Sequence, residues 1–116
     1  MRFTLKTLRE RGIKIAIGSS SKNAKLILKQ VGLLEAFDEI ADGNNITHSK
    51  PNPEVFLVAA KKLKLDPLEC LVVEDAYAGI EAANAGDFTS VGIGDASPYD
   101  KADYKITKIS DILELV

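Results

Sequence analysis

A single cysteine, Cys70, leaves this 116-residue chain without an intramolecular disulfide, which is compatible with a reducing cytoplasm. Long apolar runs are also missing, and no charged-then-apolar leader opens the chain. A membrane span and a signal peptide are therefore disfavoured. There is no arginine-rich or aromatic-interleaved basic stripe, and 15 basic against 17 acidic residues leave a formal net charge of -2, which argues against a nucleic-acid partner. Polar low-complexity tracts are absent; with 46% hydrophobic and 28% charged residues, intrinsic disorder, collagen and coiled coil fit poorly. The expectation is one globular domain over residues 1–116, long enough to bury a core without staples.

Apolar periodicity alternates in type along the chain. Leu5 and Leu8 predict a short helix ended by Gly12, and the β-branched stretch Ile13 to Gly18 predicts a strand running into Ser19, Ser20 and Ser21. Ala24, Ile27, Leu28 and Val31 then recur at helical spacing before Gly32. Phe37 to Ala41 predicts a second strand, Asp42 to Pro53 a polar loop, and Phe56, Ala59, Ala60 and Leu63 another buried helical face. Cys70 to Val73 form a continuous apolar run, the pattern of a strand covered on both sides. A helix from about Ala76 to Ala85, strands near Thr89 to Ile93 and Tyr104 to Ile106, and a closing helix from Ile109 to Val116 complete the pattern. Alternating strands and helices imply an α/β domain with right-handed crossovers.

In such folds ligands gather beyond the carboxyl ends of the strands, where the most chemically loaded residues of this chain fall. Glu74 and Asp75 end one strand; adjacent carboxylates repel unless protons or a cation compensate, and Mg²⁺ suits one or two carboxylates with water and phosphate. The competing reading is that Asp75 caps the following helix while Glu74 is solvated. Ser19 to Ser21 offer hydroxyls and free N–H groups to a phosphate, or serve as an ordinary N-cap. Lys22 either reaches a phosphate or lies in solvent. Lys50, ahead of the stiff Pro51-Asn52-Pro53 segment, either neutralises charge at the site or is a plain surface lysine. His48 reads as exposed or capping, and Cys70 as a small packed hydrophobe.

Taken in order, IAIGSSSKN, HSKPNPEVF and CLVVEDAYAGIEAANAG resemble the second, third and fourth motifs of the haloacid dehalogenase-like phosphotransferases, in wording most like the β-phosphoglucomutase and sugar-phosphatase branch. The resemblance covers nearly the whole chain and implies a three-layer, Rossmann-like parallel sheet flanked by helices. By position it implies that Ser19 binds the transferring phosphoryl group with Ser20 and its backbone alongside, while Lys22 and Asn23 face substrate phosphate or sugar. Lys50 would balance the charge of phosphoryl group and nucleophile; Asp75 would ligate Mg²⁺ directly, and Glu74 directly or through water. The implied activity is Mg²⁺-dependent phosphoryl transfer on a sugar phosphate or other small phosphate ester, as mutase or phosphatase, in the cytoplasm.

The chain departs from the family at one point. The family opens with an Asp-x-Asp segment whose first Asp is the nucleophile, on a strand lying between those of the second and fourth motifs. Nothing before Ser19 matches, and none of Asp38, Asp42 or Asp66 follows an apolar strand with that spacing. The first strand and the helical cap domain are therefore expected to be missing, and the chain is read as a truncated, inactive form of the core. Buried unpaired backbone groups cost about 1–3 kcal/mol each. The sheet is thus expected to close around the gap, pair with another chain, or be completed by an N-terminal segment. Two other classes compete: a non-catalytic Mg²⁺- and phosphate-binding or oligomerisation module, and a phospho-accepting receiver. The receiver fares worst because its acidic pair belongs after the first strand, whereas Glu74 and Asp75 come late.

Overall fold

The computed structural model describes all 116 residues. Helix α1 (Arg2–Glu10) buries Thr4, Leu5 and Leu8, and Gly12 at φ 76° turns the chain out of it. Strand β1 (Ala16–Gly18) is shorter than its β-branched stretch suggests. After it come α2 (Ala24–Gln30), β2 (Glu39–Ala41) and α3 (Glu54–Leu63), which buries Val55, Phe56, Ala59, Ala60 and Leu63. Strand β3 (Leu71–Glu74), α4 (Tyr77–Ala85), β4 (Thr89–Ile93) and β5 (Tyr104–Ile106) follow.

The closing segment differs from expectation. Ile109–Glu114 is a 3-10 helix in which only Ile112 is buried. The N–H groups of Thr107 and Lys108 both donate to Asp111 Oδ2 at 3.1 Å, fixing a tight first turn. With one anchoring side chain, a short 3-10 turn suffices.

All strand pairs are parallel, but they form two sheets: β1–β2, and β3–β4–β5. Of the three expected outcomes, closure of the sheet around the gap does not occur, since β1 and β3 do not pair. The reason lies in the side chains. On one face α3 and α4 cover a core holding Ala41 and Val72, one from each sheet, with Ala16 packed against it. A second core, built on Leu8, Val91, Ile106 and Ile112, takes in Ile13 and Ile15 ahead of β1 together with Leu71 and Val73 of β3. Packing thus joins the sheets without a backbone ladder, and the inner edges of β1 and β3 stay unpaired. Strand β3 is correspondingly half-buried except at Val72.

Helix α2 also departs from its pattern. Ile27 and Val31 belong to its expected apolar face, yet they are 51% and 55% exposed, and Ala24 alone is buried. The helix packs against the Leu34–Ala36 turn, and no other layer of the chain covers its outer residues.

Candidate active site at the strand ends

The loop after β1 is ordered by its own hydroxyls. Ser19 Oγ accepts from the Ser21 N–H and Ser21 Oγ from the Asn23 N–H, both at 3.1 Å. Helix α2 begins only at Ala24, and its N-cap, Asn23, makes no side-chain cap. The serines are therefore turn-formers rather than the ordinary N-cap. The N–H groups of Ser20 and Lys22 find no acceptor in the chain. Ser20, Lys22 and Asn23 are exposed and Ser19 half-buried.

The loop after β2 carries Lys50, joined to Pro51 by a cis peptide bond. Its Nζ donates to Glu74 Oε2 at 2.7 Å, with side chains 20% and 11% exposed, and lies 4.9 Å from the centroid of the Phe56 ring. Phe56 in turn lies against the end of β1: a Cβ at Gly18 would fall 2.7 Å from its Cδ1. A chain of contacts through Gly18, Phe56, Lys50 and Glu74 thus links the ends of β1 and β3.

At the end of β3 the two acids have distinct environments. Glu74 Oε1 accepts from the N–H groups of Asp75 and Ala76, at 3.2 and 3.3 Å. Its side chain rests on Gly79, where a Cβ would overlap Glu74 Cγ and Cδ. Asp75 is exposed and its carboxylate makes no hydrogen bond within the chain. The capping alternative for Asp75 is reversed: α4 has no side-chain cap at Ala76, and Glu74 takes the amides ahead of it.

This donor set fits a magnesium ion. Asp75 offers a free carboxylate, Glu74 is held beside it by Lys50, and Mg²⁺ ordinarily keeps its other positions for water and phosphate. A third acidic, His or Cys donor does not join them, so the set is not that of an all-protein metal cage.

The acids considered as a missing nucleophile serve other ends. Asp38 pairs with Arg9 at 3.3 Å and accepts from the Ile15 N–H at 2.8 Å. Asp42 is buried at the end of β2, its Oδ1 accepting from the Asn44 N–H. Asp66 caps the Pro67–Glu69 turn. His48 is exposed and, with Thr47, surrounds Glu54. The Thr47 N–H bond, aided by His48 and the Thr47 hydroxyl and opposed by partial desolvation, holds the Glu54 carboxyl below its ordinary pKa. Cys70 is half-buried against the larger core, as expected of a small hydrophobe. A groove of about 470 Å³ between α1 and the turn at Leu33–Ala36 lies away from these groups; its Arg2 and Arg9 already donate to main-chain carbonyls.

Phe56 and Gly79 are the neighbours of the candidate site, in contact with Lys50 and Glu74, that motif reading passed over. Phe56 shows only as a core position. An isolated glycine inside a helical pattern is a recognised sign of close approach, and Gly79 carried that sign.

The family model for haloacid dehalogenase-like hydrolases matches residues 2–87. The chain belongs to this family. Among curated relatives, the β-phosphoglucomutase of Bacillus subtilis is 38% identical over 110 residues, covering 94% of this chain and 49% of that protein. The fructose-1-phosphate phosphatase of Escherichia coli is 35% identical over 83 residues, 72% of this chain and 44% of that protein. Among solved structures, β-phosphoglucomutase from Clostridium difficile superposes with a TM-score of 0.88 at 38% identity, covering 97% of this chain and 52% of that one. The chain spans about half the length of the relatives it matches. Its parallel strands flanked by helices are those of the haloacid dehalogenase-like, Rossmann-type fold, and its similarity lies with the β-phosphoglucomutase and sugar-phosphatase branch.

Proposed function

We propose that residues 1–116 are the part of a haloacid dehalogenase-like core that binds phosphate and metal, acting in Mg²⁺-dependent phosphoryl transfer on a sugar phosphate. In this reading Ser19, Ser20, Lys22 and Asn23 receive the phosphate and sugar. Lys50, already balanced against Glu74, offsets phosphoryl charge. Asp75, with Glu74, holds the magnesium ion, which when bound supplies positive charge to phosphate oxygens. The chain's contribution is positioning and electrostatics, on which phosphoryl transfer chiefly depends. The attacking carboxylate comes from an Asp-x-Asp strand outside these residues, lying between β1 and β3.

The observation that carries this reading is the Lys50–Glu74 pair at 2.7 Å, set beside a sheet divided between β1 and β3. A partly buried ammonium held against one acid, with a second acid free next to it, is an arrangement suited to exchange partners with an anion and a metal. The mutase and phosphatase named among the relatives support sugar phosphates as the substrate class.

The test is complementation. The chain alone is expected to release no phosphate from hexose or hexitol phosphates. Supplying an apolar strand that ends in Asp-x-Asp, in trans or fused at the N-terminus, restores Mg²⁺-dependent turnover, and the same segment with Asn as its first acid does not. A folded, complemented sample without turnover would refute the proposal. The unpaired edges of β1 and β3 favour one second reading, a non-catalytic module that self-associates through them. That reading predicts a dimer in sedimentation and no activity under any complementation.

A further inference from the structure

One turn outside the three motifs contacts the Ser19–Asn23 loop along most of its length. Asp42–Asn45, directly after β2, is cross-braced: the Asp42 N–H donates to Asn45 Oδ1 at 3.0 Å, the Asn44 N–H to Asp42 Oδ1 at 2.9 Å, and the Asn45 N–H to the Asp42 carbonyl at 3.0 Å. From this rigid turn two donors reach across. The Gly43 N–H donates to the Ser21 carbonyl at 3.0 Å, and Asn44 Nδ2 to the Lys22 carbonyl at 3.1 Å. Just before the turn, the Ala41 carbonyl accepts from the Ser19 N–H at 2.9 Å. The approach leaves no room for a side chain: a Cβ at Gly43 would overlap the Ser20 carbonyl oxygen and come within 3.0 Å of Lys22 N and Cγ.

The consequence is a division of labour among the backbone groups of the loop. The carbonyls of Ser21 and Lys22 are taken by the turn, and the N–H groups of Ser21 and Asn23 by serine hydroxyls. The Ser20 and Lys22 N–H groups are left unpaired within a loop that can no longer fold back to satisfy them. Unpaired donors in a fixed frame are the groups an oxyanion can use without first breaking another bond.

We propose that Gly43 and Asn44 are positioning residues for phosphate: they clamp the Ser19–Asn23 loop by its carbonyls and so hold the Ser20 and Lys22 N–H groups open to a phosphoryl oxyanion. The proposal rests on the functional reading above only for the identity of the anion. Neither residue touches the phosphate. Asn44 is exposed and acts through the Lys22 carbonyl; Gly43 acts through the Ser21 carbonyl and by being small.

The test compares the wild-type chain with Asn44→Ala and Gly43→Ala in two measurements. The first is NMR: backbone order parameters for residues 19–23 and exchange protection of the Gly43 N–H. The second is affinity for inorganic phosphate with Mg²⁺ present. Asn44→Ala is expected to lower the order parameters and the Gly43 protection while leaving Ser19 protected, and to weaken phosphate binding by about fivefold, the worth of one ordinary hydrogen bond. Gly43→Ala, which displaces the Ser20 carbonyl, is expected to weaken it more. Restoring a side-chain amide with Asn44→Gln should recover part of the affinity, which a merely destabilised fold would not do. Unchanged loop order in both variants overturns the clamp, whatever phosphate does. Disturbed loop order with unchanged phosphate affinity overturns the positioning role. Disturbed order in a wild-type background that binds no phosphate leaves the clamp standing and overturns the assignment of the anion.

Discussion

Gly79 offers a prediction in which two physical effects of opposite sign compete. The residue lies in the first turn of α4, and replacing a helical glycine by alanine ordinarily stabilises by up to about 1 kcal/mol. Here the added Cβ would overlap Cγ and Cδ of Glu74, together with Oε2. The glutamate can make room only by turning away. It then gives up the 2.7 Å ion pair with Lys50 and the amide bonds from Asp75 and Ala76. A hydrogen bond to a charged group contributes about 1.5–3 kcal/mol. With side-chain exposures of 20% and 11% the pair is too buried to be discounted as a surface bridge. Counting only one of these bonds, about 2 kcal/mol lost against at most about 1 kcal/mol gained, Gly79→Ala should destabilise by at least about 1 kcal/mol.

Urea unfolding of the wild type, Gly79→Ala, Lys50→Met and the double variant measures this directly. If Lys50 is what Glu74 loses, alanine at Gly79 should cost clearly less in the Lys50→Met background, giving a non-zero coupling in the cycle. Stabilisation by Gly79→Ala in both backgrounds would refute the reasoning. Glu74 would then be free to move, and the Lys50–Glu74 pair would not organise the strand ends.

Further expectations concern other parts of the chain. Because the Thr47 N–H and its neighbours hold the Glu54 pKa below 4.5, the folded state binds this proton less readily than the unfolded one. Its stabilisation is therefore present at neutral pH and is lost as pH falls through and below about 4.5. Glu54→Gln should flatten that part of the stability-pH curve, as followed by urea titration at several pH values. Ser90 is fully buried, its Oγ 2.7 Å from Asn84 Oδ1 and accepting from the Asp103 N–H at 3.1 Å; Ser90→Ala should cost about 1–3 kcal/mol in chemical denaturation. Burial, followed by the charges of Glu69 and Asp66, raises the Cys70 thiol above its ordinary pKa, so an aromatic disulfide reagent near neutral pH should react more slowly with native than with urea-unfolded protein.

The longer elements were legible where one face meets a core of this chain. Phe56, Ala59, Ala60 and Leu63 stand at helical spacing and are all buried in α3, and Thr89–Ile93 and Tyr104–Ile106 fall where their β-branched and aromatic residues put them. Helix α2 shows the limit. Its period is real, but Ile27 and Val31 remain half exposed, because periodicity reports which face wants burial and not whether anything lies opposite. The division of the sheet has the same cause. A strand's sequence carries its preference for a ladder, while its partner is fixed by topology, and here the partners of β1 and β3 run out on one side.

At the strand ends the sequence showed which residue types carry charge but not how they divide the work. From sequence, Asp75 reads as either the cap or the direct ligand, with Glu74 solvated or the looser partner; the structure instead gives the amides and the lysine to Glu74, because alternation along β3 and its exit sends adjacent side chains to different surroundings. One is held by Lys50 and two amides, the other is left to solvent. That separation matters for chemistry. Under the proposed function, a lysine paired with Glu74 is already partly buried and aimed, so an arriving phosphate would not have to draw it fully out of water, and Asp75 would keep its full coordinating capacity. If Asp75 were instead the paired acid, the metal-binding charge would be spent on the lysine and an anion and a cation would compete for the same pair. Comparing Mg²⁺ binding in Glu74→Gln and Asp75→Asn tests the difference. Asp75→Asn should abolish binding measured by calorimetry, while Glu74→Gln should weaken it and free Lys50. An equal loss in both would show that the two carboxylates act as one site.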